Sequence, residues 1–85
     1  MGAAEQIYFS PFDATFYKLP PDVRARIETR IDNMGRRLGA FPHYQMTGSD
    51  RFRLRVGDYR IIYKFDLSKN EIYLLNVGHR REIYR

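Results

Sequence analysis

The sequence predicts an α+β domain of order β-α-α-β-β-β, with two N-terminal helices packed on one face of a small antiparallel sheet. Three observations predict it. Residues 51–65, RFRLRVGDYRIIYKF, alternate apolar and polar side chains on either side of Gly57-Asp58, a pair suited to a tight hairpin turn. Val23, Ile27, Ile31, Met34 and Leu38 recur at helical spacing and form one apolar stripe. Residues 72–77 are largely apolar, as in a strand with neighbours on both sides.

Taken in order, residues 1–5 read as a flexible tail and residues 6–85 as a single domain. Residues 6–9 alternate and form a first strand, with Ile7 and Phe9 pointing one way and Tyr8 the other. Ser10-Pro11-Phe12-Asp13 starts a short helix over about residues 11–18: Ser caps, Pro fits the first turn, and Asp stands three residues after the cap. Leu19-Pro20-Pro21 breaks it. The second helix runs from Pro21 or Asp22 to about Leu38, weakened at Gly35 and ended by Gly39. Residues 40–50 are a loop by composition, in which His43 reads as a surface residue. The hairpin follows, then a turn over residues 66–70, then the apolar strand, closed by Gly78-His79.

A two-residue hairpin loop sets the register, placing Val56 opposite Tyr59, Arg55 opposite Arg60, Leu54 opposite Ile61, Arg53 opposite Ile62, Phe52 opposite Tyr63 and Arg51 opposite Lys64. One face then carries Phe52, Leu54, Val56, Tyr59, Ile61, Tyr63 and Phe65, which is a core. The other carries Arg51, Arg53, Arg55, Arg60 and Lys64 with Ile62 among them. Like charges directly opposite on a hairpin cost about 0.2–1 kcal/mol per pair, and a bound anion relieves that repulsion. The plainer reading is a solvated outer face.

The net charge of +5 is unevenly spread: residues 1–50 hold six basic and six acidic side chains, and residues 51–85 hold nine and four. A basic, aromatic-rich sheet points to a polyanionic partner, nucleic acid before an acidic protein. Seven Tyr and six Phe in 85 residues mark a folded globule. The absence of Cys excludes disulfides and thiolate zinc sites and fits a cytoplasmic setting. No apolar run approaches the roughly 18 residues of a membrane span.

With LRVGDYRIIYKF at 54–65, NVGHRREIY at 76–84, KLPPDVRARI at 18–27 and the element order, the chain resembles the RelE/ParE toxin superfamily of bacterial and archaeal toxin–antitoxin pairs, over about residues 6–85. The C-terminal half is most similar to the RelE branch. The resemblance implies a toxin that enters the ribosome and cleaves messenger RNA without metal or cofactor, with a cognate antitoxin as partner. It implies functional roles for Arg51, Arg53, Arg60, Arg80 and Tyr84. Arg51 and Arg53 stand where Lys is common in the family; an arginine there is too hard to deprotonate to act as a base. The spacing from Arg80 to Tyr84 is shorter than in some members.

Cleavage of RNA by its own 2′-hydroxyl needs a base, charge stabilisation on the phosphorane, and a proton for the leaving 5′-oxygen. Arg60 and Arg80 suit the stabilising role, because guanidinium offers fixed bidentate donors to phosphate oxygens. Tyr84 is either the base, if nearby arginines lower its pKa from about 10, or a ring that stacks on a nucleobase. Arg51, Arg53, Arg55 and Lys64 would hold phosphates. Arg80 also reads as a strand-end cap, Tyr84 as a lid on the sheet, and His79 as a turn residue rather than an acid. Two alternatives remain in the sequence: a ParE-like inhibitor of DNA gyrase that cleaves nothing, and a member that retains only antitoxin binding.

Overall fold

A computed structural model describes residues 2–79. The element order is β1 (Glu5–Tyr8), α1 (Ser10–Phe16), α2 (Pro21–Arg36), β2 (Tyr44–Gln45), β3 (Phe52–Val56), β4 (Tyr59–Asp66) and β5 (Glu71–His79). The strands form one sheet in the order β1-β5-β4-β3-β2. All neighbours are antiparallel except β1 and β5, which run parallel. The α+β class with two helices on one sheet face is as expected. The fifth strand is an addition: Tyr44–Gln45 pairs with Arg53 and Phe52, inside the segment read as a loop.

The hairpin register is the expected one over all five pairs from Val56↔Tyr59 to Phe52↔Tyr63. Its turn takes positive φ at Gly57 only (59°), the pattern of a type II′ turn, so Asp58 does not need the left-handed region. Between Ile62 and Tyr63 the β4–β5 register shifts: Ile62 pairs with Asn76 and Tyr63 with Leu74, leaving Leu75 as the extra residue of a bulge. The bulge changes the parity of β5. Ile72 and Leu74 face the helices before it, and Val77 faces them after it.

The core lies between the helices and this face. Phe12 and Phe16 from α1 and Val23, Ile27, Ile31 and Met34 from α2 pack on Leu54, Val56, Ile61, Tyr63, Ile72, Leu74 and Val77. The predicted stripe is buried in full, Leu38 included.

Local boundaries differ from expectation, and α1 already ends at Phe16. Ser10 is inside α1 rather than capping it; Phe9 is the N-cap and contributes no side-chain bond. α2 ends at Arg36, before Gly39, and a turn over residues 37–40 follows. Gly35 is buried, and its carbonyl accepts the Ala4 amide at 2.9 Å, an approach that brings the chain start onto α2. Ala4 is itself buried and Glu5 belongs to β1, so order begins within the stretch read as a tail.

Candidate nucleic-acid interface

The face of the sheet turned away from the helices carries the arginines. Arg53 and Arg55 project from β3 and Arg51 immediately precedes it; all three are exposed. Their alternation with Phe52, Leu54 and Val56 follows from the strand period of two. Lys64 on β4 is half-exposed and its Nζ lies 3.0 Å from the Asp50 carboxylate. That bond, with the Lys64 charge behind it, holds the Asp50 carboxyl below its ordinary value.

Arg60 departs from expectation. It was expected on an open cationic surface, and it is only 4% exposed, as is its neighbour on that face, Ile62, at 5%. β4 is the middle strand, so Arg60 is flanked in register by Arg55 on β3 and Gly78 on β5. Its Nη1 donates to the Tyr59 carbonyl oxygen at 3.3 Å. The cationic face therefore has three exposed arginines at one edge, a lysine paired with aspartate, and one buried arginine in the middle. Arg80 and Tyr84 lie outside the described residues.

His79 ends β5 in register with Tyr59, and the two rings meet edge to face at 5.7 Å. Residues in register share a face, so His79 stands on the helix side of the sheet, opposite to Arg55 and Arg60. It is a strand residue and not the turn residue expected.

His43 is not a surface residue. Its ring stacks on Phe65 at 4.0 Å and lies near Phe41, Phe52 and Tyr63. Nε2 is 2.7 Å from the Leu38 carbonyl oxygen and Nδ1 is 2.7 Å from the Tyr63 hydroxyl. A carbonyl only accepts, so Nε2–H donates, and in the neutral ring Nδ1 accepts from Tyr63. This ties the end of α2 to β4 across the loop that precedes β2. The only signal for it in the sequence is the density of aromatic residues on that hairpin face.

The sequence also gave no prominence to Phe9, Tyr73 and Leu75. With Asp50, Arg51 and Lys64 they line a cavity of about 360 Å³ on the arginine-bearing face. A second cavity, of about 310 Å³, lies at the β3 edge between Arg30 of α2, Phe41 and Pro42, and Tyr44, Arg53, Leu54 and Arg55. β2 covers only Phe52 and Arg53 of β3, so the backbone of residues 54–56 is an open sheet edge beside that cavity.

The described tyrosines with shifted titration all move upward. Burial pushes Tyr8 up to about 12, a hydrogen bond to Glu71 pushes Tyr73 up to about 12, and burial pushes Tyr63 higher. None of the three supplies a phenolate near neutral pH. Among the described residues no three His, Cys, Asp or Glu side chains come together as a metal site. No helix among them is long and apolar enough to cross a membrane.

The family model for the ParE toxin of the type II toxin–antitoxin system parDE matches residues 8–84. Toxin RelG of Mycobacterium tuberculosis is 33% identical over 73 residues, spanning 81% of this chain and 82% of that protein. The toxin–antitoxin complex RelBE2 of Mycobacterium tuberculosis has the same fold, with a TM-score of 0.75 at 23% identity over 96% of this chain and 97% of that one. So does a free E. coli RelE toxin carrying two arginine-to-alanine substitutions, with a TM-score of 0.79 at 14% identity over 98% of this chain and 90% of that one.

Proposed function

The chain belongs to the RelE/ParE family and is a RelE-like toxin of a type II toxin–antitoxin system, and on that premise we propose that it is a ribosome-dependent mRNA endonuclease that inhibits translation. The observation that carries the reading is the exposed row of Arg51, Arg53 and Arg55 on the sheet face that the helices leave open. Three guanidinium groups along one strand edge suit the phosphates of a single RNA strand.

The reaction is attack of the 2′-oxygen on its adjacent phosphorus with departure of the 5′-oxygen, leaving a 2′,3′-cyclic phosphate. Arg60 and Arg80 neutralise the phosphorane, Arg60 from a buried position where its charge acts with less screening by water. Tyr84 takes the 2′-hydroxyl proton or stacks on a base; solvent returns a proton to the leaving oxygen. No metal enters this scheme, and the cytoplasm is its setting.

The partner is a cognate antitoxin. The groove at the β3 edge, apolar at Phe41, Pro42 and Leu54 and rimmed by Arg30, Arg53 and Arg55, suits an acidic segment with apolar anchors. A relative is found in a toxin–antitoxin complex, which supports such a partner.

The competing reading is gyrase inhibition, favoured by the name of the matching family model. One experiment separates the two: primer extension on translated mRNA after brief expression, beside a gyrase supercoiling assay. Cuts within translated codons with normal supercoiling support the nuclease. Intact mRNA with inhibited supercoiling overturns it.

A further inference from the structure

The open face is cationic at one end and aromatic at the other. In register across the sheet, Ile7 of β1 pairs with Tyr73 of β5, and Tyr73 pairs with Lys64 of β4. Phe9, two residues beyond Ile7, shares its face and is anchored by its amide on the Leu74 carbonyl at 3.0 Å. Its ring meets Tyr73 edge to face at 6.5 Å and 85°. Phe9 is 44% exposed, although the helix side of the same sheet is a closed core. The two rings wall the 360 Å³ cavity with Leu75, and Asp50, Arg51 and Lys64 close its other side.

We infer that Phe9 and Tyr73 form a stacking platform for one base of single-stranded RNA, with the adjoining phosphate held by Arg51 and Lys64. The inference rests on the proposed action on mRNA. An edge-to-face pair leaves a corner in which a third flat ring stacks on one aromatic and meets the edge of the other. Aromatic side chains on an open sheet take bases in this way, and stacking tolerates any base because every base has a π-face. Orientation follows from charge. The Tyr73 hydroxyl donates to Glu71, so the outer end of the platform is acidic and repels phosphate. The Lys64 end attracts it, and an incoming phosphate exchanges with Asp50 for the Lys64 ammonium while Arg51 beside it adds a second cation. The platform thus sets how far along the arginine row the strand lies.

The test measures binding of a short single-stranded oligouridine, and of inorganic polyphosphate, to the parent protein and to Phe9→Ala, Tyr73→Ala, Tyr73→Phe and Arg51→Ala. Phe9→Ala and Tyr73→Ala are expected to weaken RNA binding about tenfold each and to leave polyphosphate binding within about twofold. Tyr73→Phe keeps the ring and stays near the parent for both; Arg51→Ala weakens both. Circular dichroism checks folding, and Phe9, being exposed, decides the matter if Tyr73→Ala unfolds. Parental RNA affinity in Phe9→Ala, or an equal loss of polyphosphate binding, overturns the platform while leaving the RNA reading intact. A parent that binds polyphosphate but no RNA overturns that reading and the platform together.

Discussion

Arg55 and Arg60 face each other directly across the β3–β4 ladder, one at the surface and one buried. Removing either charge relieves the same repulsion, but only one site is solvated. Arg55→Gln is expected to raise stability by about 0.2–1 kcal/mol. Arg60→Ala is expected to lower it by about 1–3 kcal/mol, because a buried charge-assisted hydrogen bond is lost. Urea denaturation of both variants checks the opposite signs. Arg60→Ala should also abolish growth arrest while circular dichroism still reports a folded protein; full toxicity in that variant would remove Arg60 from the chemistry.

His43→Leu is expected to cost about 2–4 kcal/mol. The substitution leaves the Tyr63 hydroxyl without its acceptor and the Leu38 carbonyl without its donor, and it removes the ring stacked on Phe65. Thermal or urea unfolding measures the loss. A variant as stable as the parent would mean that water replaces both bonds at no cost.

The Asp50 carboxyl titrates below the ordinary aspartate value because Lys64 bonds to it. With the folded value depressed, the small stabilisation is present above the unfolded aspartate pKa and fades as pH falls through the folded one. In Lys64→Ala, the carbon-13 titration of the Asp50 carboxyl should move back up. An unchanged midpoint would show that the pair does not persist in solution.

Alkaline behaviour follows from the tyrosines. Tyr8 and Tyr73 are pushed up to about 12, against about 10 for a phenol in the unfolded chain. The folded state therefore keeps protons that the unfolded state has lost. Their stabilisation is complete below about pH 10 and declines as pH rises toward 12. Ultraviolet difference absorbance should show these phenols ionising late, and Glu71→Gln should bring Tyr73 back down. Normal titration of Tyr73 in the parent would dissociate it from Glu71.

Arg51, Arg53, Arg55 and Lys64 together set a salt dependence. Four phosphate contacts to a single strand give a log–log slope near about −3, and each alanine substitution removes about 0.7. Charge does not align a 2′-hydroxyl with its phosphate, and in-line geometry is worth about 7–11 kcal/mol of barrier. Free RNA should be bound but cut very slowly, with rapid cutting on the ribosome. Tyr84→Phe should keep the binding and lose the cutting. Fast cleavage of naked mRNA by pure protein would refute the ribosome dependence.

The hairpin was legible because a two-residue loop and a period of two leave one register, and that register places Leu54, Val56, Ile61 and Tyr63 inside. The α2 stripe was legible for the same kind of reason. Features that depend on a distant neighbour were not. The Leu75 bulge exists only because β5 is aligned against β4, and nothing local to Leu74-Leu75-Asn76 announces it. Tyr44–Gln45 is too short to show a period. Burial of Arg60 was not legible either: Lys64 lies on the same strand and face and stays half-exposed, so the alternation along residues 59–66 does not separate the two. The exposed row of Arg51, Arg53 and Arg55 could be read from spacing along one hairpin. The meeting of Phe9 with Tyr73 could not, because the two come from opposite ends of the chain.

The parallel pairing of β1 with β5 joins residues 5–8 to residues 71–74. During synthesis β1 emerges first and has no strand partner until nearly the whole chain is made. Such non-local closure is slow, and it governs when the domain becomes native. A chain truncated before Glu71 should show no amide exchange protection at residues 5–8. On the proposed action at the ribosome, a nascent chain short of Glu71 is expected to be inactive, because β1 still lacks its strand partner.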